Sequence, residues 1–184
     1  MTNIKIREVE VYHPENQVRN QYYLDHFNRQ GKDIDRLLKA FGKDKRYIIN
    51  NADENTLTMG IEASKKVLDK AGLKGEDIDL IIFTSQFPEY TIPPQSLMVH
   101  EAIKGKAETF CTYSNTDCVG MIVAFDYASR YLKGSDNMKR ALIIGADYMS
   151  VHCREEDEYT YPLFGDSACA IGRAHVWTPV TQVI

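Results

Sequence analysis

Hydrophobic and polar residues alternate with two different periods along the chain, which predicts separate strands and helices. Residues 4–11 place Ile and Val between charged side chains with one break in the two-residue period, which predicts a strand with a register change. Between residues 57 and 71, apolar residues recur at the spacing of one helix face. Asn55 or Thr56 would cap this helix, and Gly72 stands where a left-handed residue often ends one.

Two short apolar runs, residues 80–84 and 141–144, have no polar face and therefore predict central strands of a parallel sheet. Between them, the pattern predicts a helix over about residues 93–103, a strand over 109–112 and a helix over 119–132. This alternation predicts a layered α/β domain. The helix at 119–132 is apolar around most of its circumference, so we expect it to be buried.

The composition is that of a globular protein and argues against several classes of function. Of the 184 residues, 43% are hydrophobic and 26% are charged, and the net charge of −4 gives no reason to expect a nucleic acid or an anionic membrane as a partner. The first residues contain no continuous apolar stretch of the kind a signal peptide needs. The four cysteines form no Cys-x-x-Cys pair, so we expect neither a metal site nor a disulfide framework, and a reducing, cytoplasmic setting.

Cys118 immediately precedes the predicted helix at 119–132 and is the strongest candidate for chemistry. A thiol at the start of a helix faces backbone amides and the positive end of the helix dipole, and both stabilise a thiolate. The same amides can hold the oxyanion that forms when a thioester carbonyl is attacked. Gly120 would leave room for a substrate. Without further information, Cys118 could equally be one more small apolar residue of the core.

Several short segments of the chain resemble one enzyme family and occur in that family's order. They are Thr58-Met59-Gly60, Ile78-Asp79-Leu80-Ile81-Ile82, Thr84-Ser85, Pro93-Pro94, Cys118-Val119-Gly120 and Phe164-Gly165-Asp166-Ser167-Ala168-Cys169-Ala170. On these segments, roughly residues 1–170 resemble the amino-terminal half of the ketoacyl-acyl-carrier-protein synthase III family of thiolase-like condensing enzymes. Each segment is a weak signal by itself, but their shared order is specific.

The resemblance implies a thiolase-like fold with α/β/α layers, of which residues 1–170 would form the first of two duplicated halves. Cys118 would be the acyl-accepting nucleophile and an oxyanion-hole amide, and Gly120 and Met121 would lie where the substrate approaches. The implied reaction moves an acyl group from acyl-coenzyme A or acyl-carrier protein to Cys118. Condensation with a malonyl-type thioester would then give a 3-oxoacyl product in fatty-acid or polyketide initiation. The implied enzyme is a homodimer that uses no cofactor and no metal.

The chain departs from the family pattern at several positions, including Met121, which stands in place of the family's Phe. Asp117 stands where a small residue is usual, and it would either cap the helix or oppose the Cys118 thiolate through its like charge. Arg36 and Ala40 stand where bacterial members carry a Trp and an Arg that grip the coenzyme A nucleotide, so the identity of the acyl donor stays open. The family's catalytic His and Asn belong to the second half, and the five histidines of this chain match neither. We therefore expect this chain alone to be inactive in the condensation.

Two alternative functions remain open. Relatives similar to hydroxymethylglutaryl-CoA synthase keep the acyl-cysteine step and place a Glu in the loop after the 80–84 strand, whereas Glu89 is displaced from that place. A non-catalytic assembly module is the other alternative, because Asp117 and the altered nucleotide grip both weaken the case for turnover. Selective reaction of Cys118 with a thiol reagent would separate an enzyme from such a module.

The final residues, 171–184, differ from the apolar strand expected after the Gly-Asp loop. Residues 171–181 resemble the translation of a common sequencing adapter, with Trp177 where the adapter has a stop codon. We expect this tail to be non-native, and the alternative is a divergent native strand. The nucleotide sequence for residues 172–181 would decide between them.

Overall fold

Helices and strands alternate through residues 3–176, which this computed structural model describes, with side chains described for residues 4–172. The strands are β1 (Asn3–Tyr12), β2 (Gln17–Arg19), β3 (Lys45–Tyr47), β4 (Leu80–Thr84), β5 (Phe110–Ser114), β6 (Arg140–Asp147) and β7 (Ser167–Val176). The helices are α1 (Asn20–Asn28), α2 (Asp35–Phe41), α3 (Thr56–Ala71), α4 (Gln95–Ala102), α5 (Gly120–Gly134) and α6 (Thr160–Leu163). Within residues 3–176, no helix combines the length and the apolar character needed to cross a bilayer.

Five strands form a mixed sheet in the order β1-β7-β6-β4-β5. β4 pairs in parallel with both β5 and β6, which confirms the prediction of central parallel strands. β7 runs antiparallel between β6 and β1, and the strand pattern did not predict it. The register of β1 shifts between Ile6 and Glu8, where the period of the sequence breaks.

Helices cover both faces of this sheet and divide its core in two. One core lies beneath α3 and α4 and takes alternate residues of β4 and β6, among them Phe83 and Ile144. The other core lies beneath α5 and takes the intervening residues, among them Ile82 and Ile143. The layers are α/β/α, as predicted. Because successive strand residues point to opposite faces, strands with no polar face fit only between two helical layers.

The ends of α3 follow the local sequence. The Asn55 side chain accepts a hydrogen bond from the Thr58 amide at 2.9 Å, and the Thr58 hydroxyl accepts one from the Asn55 amide at 2.8 Å. This reciprocal capping box satisfies two backbone donors that helix geometry leaves without partners. Gly72 ends the helix at φ 64°, in the left-handed region that favours glycine. Both predicted boundaries are therefore confirmed.

The burial predicted for the helix at 119–132 is correct for only one of its faces. Ala124, Ala128 and Leu132 are fully buried against the sheet. On the opposite side, Ile122 is 70% exposed and Tyr127 is 41% exposed. The apolar pattern shows which side chains would avoid water, but it does not show whether a layer is present to cover them. Within residues 3–176, the sheet covers only one side of α5.

Residues 171–176 continue β7 rather than leaving the fold at residue 170. In the sheet, Ile171 pairs with Val9 of β1 on one side and with Ile143 of β6 on the other. The predicted boundary between residues 170 and 171 therefore falls inside a strand. The rest of the predicted tail, residues 177–184, lies outside the described residues, and its adapter origin stays a prediction.

Asp79 joins the starts of three strands just before β4. Its carboxylate accepts hydrogen bonds from the backbone amides of Lys139 at 2.7 Å and Arg140 at 2.8 Å, and from the Lys106 ammonium group. Burial raises the pKa of this carboxyl, but the bonds from Lys106 and the two amides outweigh it, so the pKa of Asp79 lies below its ordinary value. The charged carboxylate therefore stabilises the folded state.

Asp79→Asn should destabilise the protein in a pH-dependent way. Because the folded pKa is lowered, the stabilisation is complete above the unfolded value of about 4 and is lost as the pH falls through the folded value. At pH 7 we expect a loss of about 3 kcal/mol in the free energy of unfolding, shrinking in acid. Urea denaturation across this pH range measures it, with Asp69→Asn on the exposed side of α3 as the control. A difference that is independent of pH would contradict this account.

Candidate active site

The candidate site lies where the carboxyl ends of β4, β5 and β6 meet. Because the three strands are parallel neighbours, the segments that follow them emerge at one edge of the sheet. After β5, the chain passes through a 3-10 turn, Asp117–Val119, and then enters α5 at Gly120. Cys118 is the middle residue of this turn, so it stands at the start of α5, as the sequence predicts.

Exposure separates Cys118 from the other three cysteines. Cys118 is exposed, whereas Cys111, Cys153 and Cys169 are half-buried. Burial raises the pKa of the Cys111 thiol to about 11, and burial also raises the pKa values of Cys153 and Cys169. These three thiols are therefore held in the protonated, less nucleophilic form at neutral pH.

Cys118 lines an open cavity of about 280 Å³. Gln86, Gly120, Met121, Asp147 and Cys169 are among the other residues of its wall. The structure thus brings the three residues predicted for the site, Cys118, Gly120 and Met121, to one cavity. It adds Gln86 and Asp147, which the sequence analysis missed.

Gly120 also has a packing reason to lack a side chain. A Cβ atom at this position would overlap the Oγ1 of Thr84, the last residue of β4. The next residue, Met121, lies against Gly145 of β6, where an added Cβ would collide with the Met121 side chain. Two glycines therefore let the first turn of α5 approach β4 and β6 closely, and this approach positions the turn that carries Cys118.

Asp147 holds the loop that follows β4. Its Oδ1 accepts hydrogen bonds from the Ser85 hydroxyl and the Gln86 amide, both at 2.8 Å, and from the Phe87 amide at 3.3 Å. Asp147 is the last residue of β6, and an acidic residue after a buried strand is the sequence signal that could have identified it. Beneath the loop, the Tyr113 hydroxyl donates to the Ser85 carbonyl at 2.7 Å. Burial and the charge of Asp147 both raise the pKa of Tyr113, which keeps this donor protonated.

Asp117 does not cap α5, so the capping role considered for it is wrong. Val119 occupies the N-cap position and makes no side-chain capping bond. Asp117 instead has φ 48°, in the left-handed region, and its amide donates to the Asn115 side chain at 3.1 Å. The helix starts two residues later than a cap at Asp117 would require, because the 3-10 turn intervenes.

Comparisons with known proteins point to one enzyme family. The sequence profile of the family described as 3-Oxoacyl-[acyl-carrier-protein (ACP)] synthase III matches residues 114–172, which include Cys118 and the Gly-Asp loop. A beta-ketoacyl-[acyl-carrier-protein] synthase III of Clostridium perfringens is 37% identical over 171 residues, which are 93% of this chain and 51% of that protein. The chain resembles one half of a ketoacyl-acyl-carrier-protein synthase III.

Solved structures show the same relationship. The 3-oxoacyl-[acyl-carrier-protein] synthase III of Aquifex aeolicus superposes with a TM-score of 0.84 and 28% identity, over 96% of this chain and 55% of that one. A priming beta-ketosynthase of a polyketide biosynthetic pathway superposes with a TM-score of 0.85 at 21% identity, which shows the shared fold. The predicted thiolase-like α/β fold is confirmed, and the chain spans about half the length of the curated relatives it matches.

The Gly-Asp loop is held in place by the hydrogen bonds of its own carboxylate. Asp166 is buried, and its carboxylate accepts hydrogen bonds from the amides of Ile49 and Ser150, each at 2.8 Å, and from the Ser150 hydroxyl at 2.7 Å. A buried carboxylate is stable only with such donors. By fixing this loop, Asp166 also fixes the start of β7, which contributes Ser167 and Cys169 to the cavity wall.

The four histidines with described side chains do not line the cavity of Cys118. His13 stacks on Tyr47, His26 donates to the Glu155 carbonyl, His100 contacts the Lys106 carbonyl, and the ring of His152 lies tilted against that of Phe87. The side chain of His175 is outside the described residues. Among residues 3–176, no group of three or more His, Cys, Asp or Glu side chains is arranged to hold a metal ion.

Glu89 does not lie in the cavity of Cys118. It accepts a hydrogen bond from the Thr56 amide at 3.2 Å, at the start of α3, and borders a separate cavity of about 580 Å³. This placement disfavours the hydroxymethylglutaryl-CoA synthase-like alternative.

Arg36 and Ala40 lie exposed on α2, in the segment where the family is expected to bind the coenzyme A nucleotide.

Gly120→Ala should destabilise the protein and misplace the turn at Cys118. The added methyl group overlaps the Thr84 hydroxyl in a packed contact, and overpacking of this kind costs about 1–3 kcal/mol. Thr84→Ala in the same protein should restore part of the loss, because it removes the overlapping oxygen. Thermal or urea unfolding of both single variants and the double variant measures this. Additive losses in the double variant would contradict the packing explanation.

Asp117→Asn should make Cys118 react faster with a thiol reagent at neutral pH. Asn tolerates the left-handed backbone as Asp does, so the variant removes the like charge beside the thiolate and keeps the turn. Because the site is exposed and screened, we expect about a twofold increase at low salt that diminishes at high salt. The matched control is Asp126→Asn, which removes the same charge from an exposed position on α5. Equal rates for Asp117→Asn and the unmodified chain at low salt would refute the charge effect.

Proposed function

We propose that Cys118 accepts an acyl group from a thioester, as the first step of a ketoacyl synthase III-type condensation. The observation that carries the proposal is the position of Cys118, the exposed cysteine at the start of α5 on the wall of a cavity. The resemblance to proteins named beta-ketoacyl-[acyl-carrier-protein] synthase III supports the same role.

The acylation step follows from the chemistry of the site. The Cys118 thiolate attacks the thioester carbonyl carbon, and the carbonyl oxygen becomes an oxyanion near the backbone amides at the start of α5. When the carbonyl re-forms, the bond to the donor sulfur breaks, and the donor leaves as a thiolate that takes up a proton. The product is an acyl thioester on Cys118. Gly120 and Met121, on the same cavity wall, are where the acyl group would approach.

The full reaction would need the second half of the fold. There, a His and an Asn would stabilise the enolate that forms when a malonyl-type thioester loses carbon dioxide, and this carbanion would attack the acyl group on Cys118. The product would be a 3-oxoacyl thioester, which serves fatty-acid or polyketide initiation. The donor would be acyl-coenzyme A or acyl-carrier protein, with no nucleic acid and no membrane involved.

The exposed face of α5 is consistent with this division of labour. Ile122, Tyr127 and Tyr131 leave apolar surface in contact with water on the side away from the sheet. A covering layer from the second half would remove that surface from water, and the complete enzyme would be a homodimer. The cytoplasmic location inferred from the sequence stays a prediction.

Incubation of the chain with acetyl-coenzyme A should leave an acetyl adduct on Cys118. We expect Cys118→Ala to abolish the adduct, while Cys111→Ala, Cys153→Ala and Cys169→Ala should each retain most of it, because burial holds those thiols protonated. Peptide mass spectrometry identifies the modified residue. No 3-oxoacyl product should form from malonyl-coenzyme A. An adduct on another cysteine would overturn the assignment, and selective modification of none would favour the non-catalytic module.

A further inference from the structure

Gln86 reaches the candidate nucleophile from the loop after β4. Its side-chain amide nitrogen, Nε2, lies 3.8 Å from the Sγ of Cys118, within the longer range of hydrogen bonds to sulfur. The two residues are 32 positions apart in the sequence, and both line the same cavity. The contact therefore exists only because β4 and β5 are parallel neighbours.

The backbone of Gln86 is held at both of its polar groups. The amide N–H donates to Asp147 Oδ1 at 2.8 Å, and the carbonyl accepts from the Asn115 side chain at 3.2 Å. The residue before it is fixed by Asp147 and by the Tyr113 hydroxyl. None of these bonds uses the Gln86 side chain, so a substitution there leaves the anchoring of the loop intact. Because the backbone is anchored, only the side-chain rotamers of Gln86 have to be ordered when it reaches the sulfur.

A neutral N–H donor at this place favours the charged form of the sulfur. Hydrogen bonding to an anion stabilises the anion, and an amide donor adds no charge that would attract other groups. The carboxylates that face the site have the opposite effect: Asp117 adjoins Cys118, and Asp147 lines the cavity with its Oδ1 engaged by the loop. Gln86 is the side chain whose hydrogen bond to the sulfur can offset this negative field.

We propose that Gln86 donates a hydrogen bond to the Cys118 thiolate and raises its population at neutral pH, with Asp147 as the positioning residue for the loop. This inference rests on the proposed function, because it assigns Gln86 to the activation of the nucleophile that accepts the acyl group. Because the bond is present before substrate arrives, it acts on the free enzyme.

The rate of alkylation of Cys118 as a function of pH tests the proposal on the chain itself. Iodoacetamide reacts with the thiolate, and mass spectrometry of the Cys118 peptide reports the rate for each variant. Gln86→Ala should move the midpoint of the profile upward by about half a unit, so that alkylation at pH 7 is about threefold slower. Gln86→Glu should move it further, since a carboxylate replaces the donor. The limiting rate at high pH should stay unchanged in both.

The control is Gln21→Ala, which removes an exposed glutamine on α1 that bonds Asp25, at a distance from the site in the sequence and fold. An unchanged or lowered midpoint in Gln86→Ala, with Cys118 still the reactive thiol, would overturn the role of Gln86 and leave the proposed function standing. An acyl adduct on a different cysteine would instead overturn the proposed function. Circular dichroism of each variant confirms that a changed midpoint does not come from unfolding.

Discussion

The burial of β4 on both faces and both edges is the constraint on which the rest of the structure depends. All five residues from Leu80 to Thr84 are buried. A strand of this kind needs a helical layer above and below it and a neighbouring strand on each side, and α3, α5, β5 and β6 supply them. Since both neighbours are parallel to β4, three strand ends meet at one edge of the sheet. The position of the candidate site follows from that pairing.

Three carboxylates hold the loops around this sheet by the same physical means. Asp79 stands before β4, Asp147 ends β6 and Asp166 precedes β7, and each accepts hydrogen bonds from backbone amides. At a strand end, amides lose their ladder partners, and a carboxylate can satisfy two or three of them at once. The charge thus fixes loop conformation. At the site, this means that Asp147 acts on Cys118 through the geometry of residues 85–87 and needs no direct contact with sulfur.

Local periodicity predicted the elements whose stability depends on local pattern. The ends of α3, the central strands and the register change in β1 were all visible in the sequence, because caps, apolar runs and a broken period leave local signals. β7 entered the sequence analysis only as the alternative of a divergent native strand, since its small residues, such as Ala168 and Ala170, give little strand signal and its pairing with β1 joins the two ends of the described chain. The burial of α5 was overestimated because the apolar pattern of a helix does not show which neighbouring layers of the fold are present to cover it.

The sequence likewise predicted the parts of the candidate site that have a local signature and missed the parts that depend on long-range contacts. Cys118 was found because the start of a helix has a sequence signature, and the family resemblance reinforced it. Gln86 and Asp147 were missed because their contacts cross 32 and 61 residues and exist only in the register of parallel strands. Gly120 was assigned to substrate approach from the sequence alone. The structure adds a second requirement, the close contact with Thr84, which acts whether or not a substrate is present.

The backbone at Asp117 gives its departure from the family pattern a physical explanation. A residue with φ 48° costs on the order of 1 kcal/mol for most side chains, and Asp and Asn tolerate this region best after glycine because their short polar side chains bond locally. The turn that presents Cys118 therefore accepts Asp for conformational reasons, and the negative charge beside the sulfur comes with it. A neutral donor on an independently anchored loop is a way to counter that charge without disturbing the turn. Gln86 occupies that position, so the conformational demand of the turn and the electrostatic demand of the thiolate are met by different segments of the chain.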